Sequence, residues 1–401
     1  GVEGYCGSGV QIDAMRSAEW HKAVAQSGVA VVYVHALNPH GFSHVRRVTQ
    51  ENVDLNRNFI DFGQPLPVNA DYAEVHALLL PEHWPPAPEQ AAALNAQSQV
   101  WGERRMQRAI TSGQYQFPDG VWFGGLAPTW SQRSFRQVLK DHLGQARQIA
   151  WIDLHTGLGP HGHGERIFAC TDNGATLQRA RQWWGPDITS VDTGTSKSVP
   201  LSGPIQMAIY EECPQAQYTG ICLEFGTLPL AQMIQAMRAD HWLALHPEAP
   251  PAQQAAIRAA MREAFNPPSP DWQQQVWRQG LQAAQQAVQG LQVDGGLHVV
   301  AVAHHRFGQR VGGEVAEARR PAAAALGPEP AALAPQPVGP HQPVGQRLPL
   351  GEISLCTLSP EALPDQRITL NLHGRVLRGL GAMPGQAVHL RHILFAVTPG
   401  V

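Results

Sequence analysis

Gly28 to Leu37 reads GVAVVYVHAL, a run of β-branched and aliphatic residues interrupted only by Tyr33 and His35. A half-exposed strand alternates apolar with polar residues. This run does not alternate, so both of its faces must be covered. That condition is met where a parallel or mixed sheet lies between two layers of helices. Three further stretches read as strands: QIAWIDLHT (Gln148 to Thr156), closed by a turn at Gly157, RIFACT (Arg166 to Thr171) and GICLEFGT (Gly220 to Thr227). Helical patterns fill the intervals and the region after them: Gln11 to Gln26, Glu89 to Gly113, Ser131 to Leu143, Ala175 to Trp184, Pro229 to Leu245, Pro251 to Phe265 and Asp271 to Leu291. Strands that alternate with helices predict an α/β fold, with a mixed central β-sheet and helices on both faces.

The 401 residues would fill two or three domains at roughly 150 residues each, but large α/β enzymes keep such a length in one core. Hydrophobic residues at 43% and charged residues at 15% suit a globular chain with a sizeable core. A net charge of −3 argues against a nucleic-acid or anionic-membrane partner. No apolar run is long enough for a membrane span. The 5 cysteines are scattered and form no CxxC pair, which fits a reduced, cytoplasmic setting better than a disulfide framework. The 19 histidines leave metal chemistry open.

Composition changes near Leu291. All 11 tryptophans and all 6 tyrosines precede it. Arg320 to Gly345 is an Ala/Pro tract expected to be extended or disordered, and RITLNLHGRVL beyond it offers a strand or two. The expected division is a catalytic domain over 1–291 and a linker and tail over 292–401. Two readings of the tail stand side by side: a flexible linker carrying a small β appendage, or a segment that is not natural coding sequence.

Four islands carry chemistry: Glu3 in GVEG, the stretch Asn38 to Phe59 ending in VDLNRNF, IDLHTG around His155, and CLEFGT around Glu224. The last two set polar side chains at the ends of apolar runs, where α/β sheets form their ligand crevice. Each residue also has a plain structural reading. His155 can be a packed strand-end histidine, and Asp153, two residues earlier on the same strand face, can support it or cap a neighbouring helix. DLNRN can be a polar surface loop. Glu224 is harder to dismiss, because a carboxylate between Leu223 and Phe225 costs desolvation unless it has a partner or a task. Cys222 has no evident histidine partner in the sequence and reads as core. His161 and His163 read as a Gly-rich exposed loop or as a second metal contact. Gly113 to Gly125, aromatic and glycine-rich, reads as a cover over the site or as ordinary packing.

Taken together, from Gly1 to about Leu291, these islands resemble the M14-type zinc carboxypeptidase superfamily, and most closely its DUF2817 branch. The resemblance implies the following roles. Glu3 matches the glutamate of a His-x-x-Glu zinc motif whose histidine would stand immediately before Gly1, so this chain is expected to be cut there and to hold Zn2+ weakly, through Glu3 and His155. Glu224 matches the catalytic glutamate, and Arg47, rather than Arg46, the arginine that polarises the scissile carbonyl. Asn56 and Arg57 match the pair that holds a substrate carboxylate. A tyrosine ahead of the catalytic glutamate also belongs to the pattern. Tyr210 and Tyr218 are the candidates, with Tyr210 assigned to the substrate, and neither spacing decides. NPHG matches a turn after a central strand, and GYCGSG would be a Gly/Ser turn into the helix at Gln11. The implied activity is zinc-dependent hydrolysis of a C-terminal amide or peptide bond in a small peptide. The alternatives are an N-acyl amino acid deacylase of the aspartoacylase and succinylglutamate desuccinylase type, and a binding protein without catalysis.

Overall fold

A computed structural model describes residues 1–171, 174–291, 298–304, 354–357, 369–370 and 393–396. The chain divides into two units, 1–307 with 353–401 and, separately, 308–352; the second lies outside the described residues. So do the Ala/Pro tract and most of the RITLNLHGRVL stretch, of which Thr369–Leu370 is a two-residue strand.

Five strands form the central sheet: β1 (Ala30–His35), β2 (Gln148–His161), β3 (Gly164–Phe168), β4 (Gln217–Gly226) and β5 (His298–His304). Their order is β3-β4-β2-β5-β1, and beyond β1 it continues through three short segments, Ile393–Ala396, Ser354–Thr357 and Thr369–Leu370. Within the five, every pair is parallel except β3 with β4. The sheet is therefore mixed, as the sequence predicts.

The helices are α1 (Tyr5–Arg16), α2 (Ala18–Ser27), α3 (Pro39–Ser43), α4 (Ala70–Leu79), α5 (Pro88–Trp101), α6 (Glu103–Thr111), α7 (Trp130–Val138), α8 (Ala175–Trp184), α9 (Met207–Glu212), α10 (Leu230–Leu245), α11 (Pro251–Phe265) and α12 (Pro270–Gly290). Val31, Trp151, Ile152, Ile221 and Val300 are fully buried, so the central strands are covered above and below. That burial explains why GVAVVYVHAL lacks alternation. A second apolar cluster joins α4, α6, α10 and α11 around Tyr72, Leu79, Met261 and Phe265.

Several boundaries differ from the sequence expectation. The helix placed at Gln11 to Gln26 is two, because Ser17 leaves the helix and its side chain accepts a hydrogen bond from Trp20 N, capping α2. The one placed at Glu89 to Gly113 breaks at Gly102, whose φ of 75° no other residue adopts cheaply. The Gly/Ser turn expected after Glu3 is a single 3₁₀ turn, Val2–Gly4, followed directly by α1. β2 does not stop at Gly157; it runs to His161 with a register shift after Gly157.

The largest correction concerns the boundary at 291. His298–His304 is not outside the fold expected to end at Leu291. It belongs to the central sheet as β5, hydrogen-bonded to β2 on one side and to β1 on the other. HVVAVA is itself an apolar, β-rich run, and the nearby shift in composition masked it.

Candidate metal centre

β2 and β4 run parallel with Asp153 opposite Cys222 and His155 opposite Glu224. Side chains two apart on a strand share a face, so these four form a two-by-two patch on one side of the sheet. Ala303 of β5, opposite Asp153, extends the same row into the cleft. Glu3 reaches the patch from the Val2–Gly4 turn, which is held by Val2 N donating to Arg46 O at 2.8 Å.

Both nitrogens of His155 face carboxylates: Nδ1 lies 2.9 Å from Glu3 Oε2 and Nε2 lies 3.0 Å from Asp153 Oδ2. Burial works against a charged imidazole, but Asp153 and the bond to Glu3 outweigh it and hold the His155 pKa well above its ordinary value. Burial likewise pushes the Glu3 carboxyl up, and Arg47 and His155 overcome it, so Glu3 ends well below the usual carboxylate range. Glu224 goes the other way. Its burial dominates, and its pKa is pushed up to about 7. Its Oε1 accepts from Leu158 N at 2.9 Å. Gly157 makes room for it: φ is 150°, and a Cβ there would stand 3.2 Å from Glu224 Oε1.

One donor atom each from His155, Cys222 and Glu224 lies within 4.8 Å of the other two, a group that could hold a metal ion. Cys222 is thus not plain core. Parallel pairing sets it beside Asp153 and His155, a placement legible only once the register is known. Burial raises its thiol pKa well above the ordinary value, so a thiolate forms there only with a cation to hold it. The donor set fits a divalent cation. Glu3, Asp54 and Asp153 line one cleft, with Glu224 close to His155, and Arg47 is the guanidinium among the lining residues. Imidazole, carboxylate and thiol together are zinc-type ligands. His155 Nδ1 faces Glu3, while Nε2–H donates to Asp153, the usual support for a ligating histidine.

The other expected residues divide. Arg47 lines the cleft and pairs with both Glu3 and Asp54. Arg46 turns away to Asp240 at 3.0 Å. Asn56 lines the cleft, its Oδ1 accepting from Ile205 N at 2.9 Å. Arg57 is not brought into the cleft. Its side chain is buried, donating from Nε to Thr111 O at 3.1 Å and from Nη1 to Asn56 O at 2.8 Å. Tyr210 is not brought there either: its hydroxyl accepts from Thr171 N at 3.0 Å and its ring packs edge-on against Tyr218. Tyr218 donates to Ala169 O at 2.9 Å within the core. His161 is exposed, with Nδ1 3.0 Å from Thr227 O, and neither it nor His163 belongs to the metal group.

Gly113 to Gly125 braces the site from behind. Asp54 N donates to Phe123 O at 2.8 Å, Asn58 Nδ2 to Gly124 O at 2.7 Å and Tyr115 OH to Arg57 O at 2.6 Å. None of its residues is among those lining the cleft, so packing is its role here. The remaining cleft wall is apolar, from Leu37, Leu55, Leu154, Ile205 and Ala303. Asp54 and Ala303 are the site residues sequence reading passed over. Asp54 stood inside DLNRN without a stated role, and Ala303 lay past the supposed domain end.

Residues 1–279 match the model of a family described as a protein of unknown function, DUF2817. No curated protein and no solved structure matches the chain. No helix among the described residues is long and apolar enough to cross a membrane.

Proposed function

The chain belongs to the DUF2817 family, and from that footing we propose that it is a zinc-dependent hydrolase of a small amide bond, akin to M14-type carboxypeptidases. One observation carries the reading: Glu3 pairs with one ring nitrogen of His155, Asp153 supports the other, and Glu224 and Cys222 offer donor atoms within 4.8 Å of the imidazole. Glu3 and His155 would hold the ion, and Cys222 and Glu224 are the donor groups within 4.8 Å of the imidazole. Zinc bound there would polarise an amide carbonyl and lower the pKa of a water molecule.

The protein's own groups supply the rest. Glu224 is the carboxylate placed to accept a proton from the attacking water and return it to the departing amine. The Leu158 N–H fixes one of its oxygens, leaving the other for that exchange. Asn56 offers an amide at the cleft rim. The apolar wall around Ile205 and Leu55 excludes water and accommodates an uncharged side chain. Because Arg57 is engaged by backbone carbonyls and pairs with Asp54 at 3.7 Å, recognition of a substrate carboxylate does not rest on it in this conformation. The substrates that fit are a short peptide cut at its C-terminal end or an N-acyl amino acid.

The test combines metal analysis of the full chain with a hydrolysis panel of N-blocked dipeptides and N-acyl amino acids. Zinc uptake should fall in Glu3→Ala and in His155→Ala. Glu224→Gln should keep its zinc and lose about 10²- to 10⁴-fold in turnover. Turnover at the wild-type level in Glu224→Gln removes the proposed base, and a wild-type chain that takes up no zinc overturns the reading.

A further inference from the structure

Arg47 lies in a segment whose backbone is clamped to the Glu3 turn. Asn38 opens α3, accepting from Gly41 N at 3.0 Å and donating from Nδ2 to Arg47 O at 3.2 Å. Arg46 donates its N–H to Gly41 O at 2.6 Å and accepts from Val2 N at 2.8 Å. There is no room to slide: a Cβ on Gly1 would stand 2.7 Å from Arg47 O, and one on Gly41 2.6 Å from Val48 O. The NPHG turn thus fixes Arg47 and Glu3 relative to each other before any side chain is considered.

The side chains complete the arrangement. Arg47 Nε donates to Glu3 Oε1, and Nη1 donates to Asp54 Oδ2. Asp54 is itself held, its Oδ1 accepting from Asn56 N at 3.1 Å. Trp122 covers the guanidinium, its ring centroid 6.0 Å from Cζ. Two donors on two carboxylates fix the plane of the guanidinium, and through Nε the plane of the Glu3 carboxylate. The two oxygens of Glu3 then have separate partners: Oε1 belongs to Arg47, and Oε2 is aimed at His155 Nδ1, 2.9 Å away. Glu3 and His155 would hold an ion through these facing atoms, while the contact between Arg47 and Oε1 engages the other oxygen of the carboxylate.

We propose that Arg47 is a positioning residue for the metal ligand Glu3, anchored by Asp54, and that it acts through that carboxylate rather than on the substrate carbonyl. The inference rests on the metallohydrolase reading above and assigns the guanidinium differently from the family resemblance. With Nε and Nη1 both engaged on anions, most of its charge is already neutralised and its orientation is set by Glu3 and Asp54. The row Asp54, Arg47, Glu3, His155, Asp153 alternates in sign, and each member fixes the next.

Zinc affinity of the full chain, measured by competition with a chromophoric chelator, tests this. Arg47→Met should bind zinc about 10- to 100-fold more weakly, the range seen when a ligand's supporting partner is lost. Arg47→Lys should fall between it and wild type, because an ammonium keeps one carboxylate but does not bridge two. Asp54→Asn, which leaves Arg47 in place but loosens its anchor, should weaken binding in the same direction. Thermal unfolding and near-ultraviolet circular dichroism of the metal-free chains establish that each variant is folded. If Arg47→Met does not fold, Arg47→Lys and Asp54→Asn carry the comparison. Wild-type zinc affinity in folded Arg47 variants, with turnover alone reduced, overturns the inference and leaves the metallohydrolase reading standing. A wild-type chain that binds no zinc overturns both.

Discussion

His241 on α10 shows how burial can dominate a titration. Its Nδ1 donates to Met237 O at 3.2 Å, and Nε2 is buried with no hydrogen-bond partner. Burial, reinforced by Arg46 and Arg47, pushes its pKa from 6.5 down to about 3. The unfolded chain therefore binds a proton near pH 6.5 that the folded chain refuses until about pH 3. Stability from this group is complete above pH 6.5 and is lost as the pH falls through that window, at about 1.4 kcal/mol per pH unit. His241→Leu removes the penalty. Urea unfolding at pH 7.5 and 5.0 should show the variant gaining about 2 kcal/mol on wild type at the lower pH. A difference that does not change with pH refutes the assignment. At the same scale, the candidate site was legible where a residue's position follows from its strand. His155 and Glu224 end apolar runs, and a sheet brings such ends together. Arg57 and Tyr210 were not, because a side-chain rotamer decides whether each enters the cleft or packs away from it.

The contact between α1 and α12 depends on a single missing methyl. Gly280 sits mid-helix in α12, where glycine is about 1 kcal/mol worse than alanine on propensity. Yet a Cβ there would stand 2.8 Å from both methyl carbons of Val10 on α1. Val10 is itself buried, so its short, branched side chain has little room to yield. Gly280→Ala is expected to destabilise by about 1–3 kcal/mol, opposite in sign to the propensity gain. A chemical-denaturation midpoint equal to or above wild type contradicts that close packing. Element identity was largely readable from periodicity: Ala175 to Trp184 and Pro251 to Phe265 match α8 and α11. Breaks inside long helical patterns were harder, because Ser17 and Gly102 act through one residue's backbone angle, which an averaged pattern passes over.

At the level of the whole molecule, the strand that the change in composition concealed is the one the sheet can least do without. β5 lies between β1 and β2, with Ala30 to His35 paired on one side and Gln148 to Asp153 on the other. Val299, Val300 and Ala301 are fully buried. Gln11, itself buried on α1, donates to Val302 O at 2.7 Å and to Val34 O at 3.3 Å, tying the helix that follows Glu3 to the ends of both strands. A chain ended at Leu291 would leave two rows of backbone N–H and C=O groups without partners in the middle of the core, each costing about 1–3 kcal/mol while it stays dry. Closing β1 directly onto β2 would need a lateral shift of nearly 5 Å, which breaks the contact between Glu3 and His155 on which the proposed metal site rests. The 1–291 chain should accordingly show no cooperative unfolding transition and no zinc uptake. Val300→Asp in the full chain, which keeps every strand hydrogen bond but buries an unpaired charge, should fail in the same way. Circular dichroism melts of the three chains decide it: a sharp, wild-type-like transition in the 1–291 chain would mean that the sheet closes without β5, and the folded unit would end at Leu291 after all.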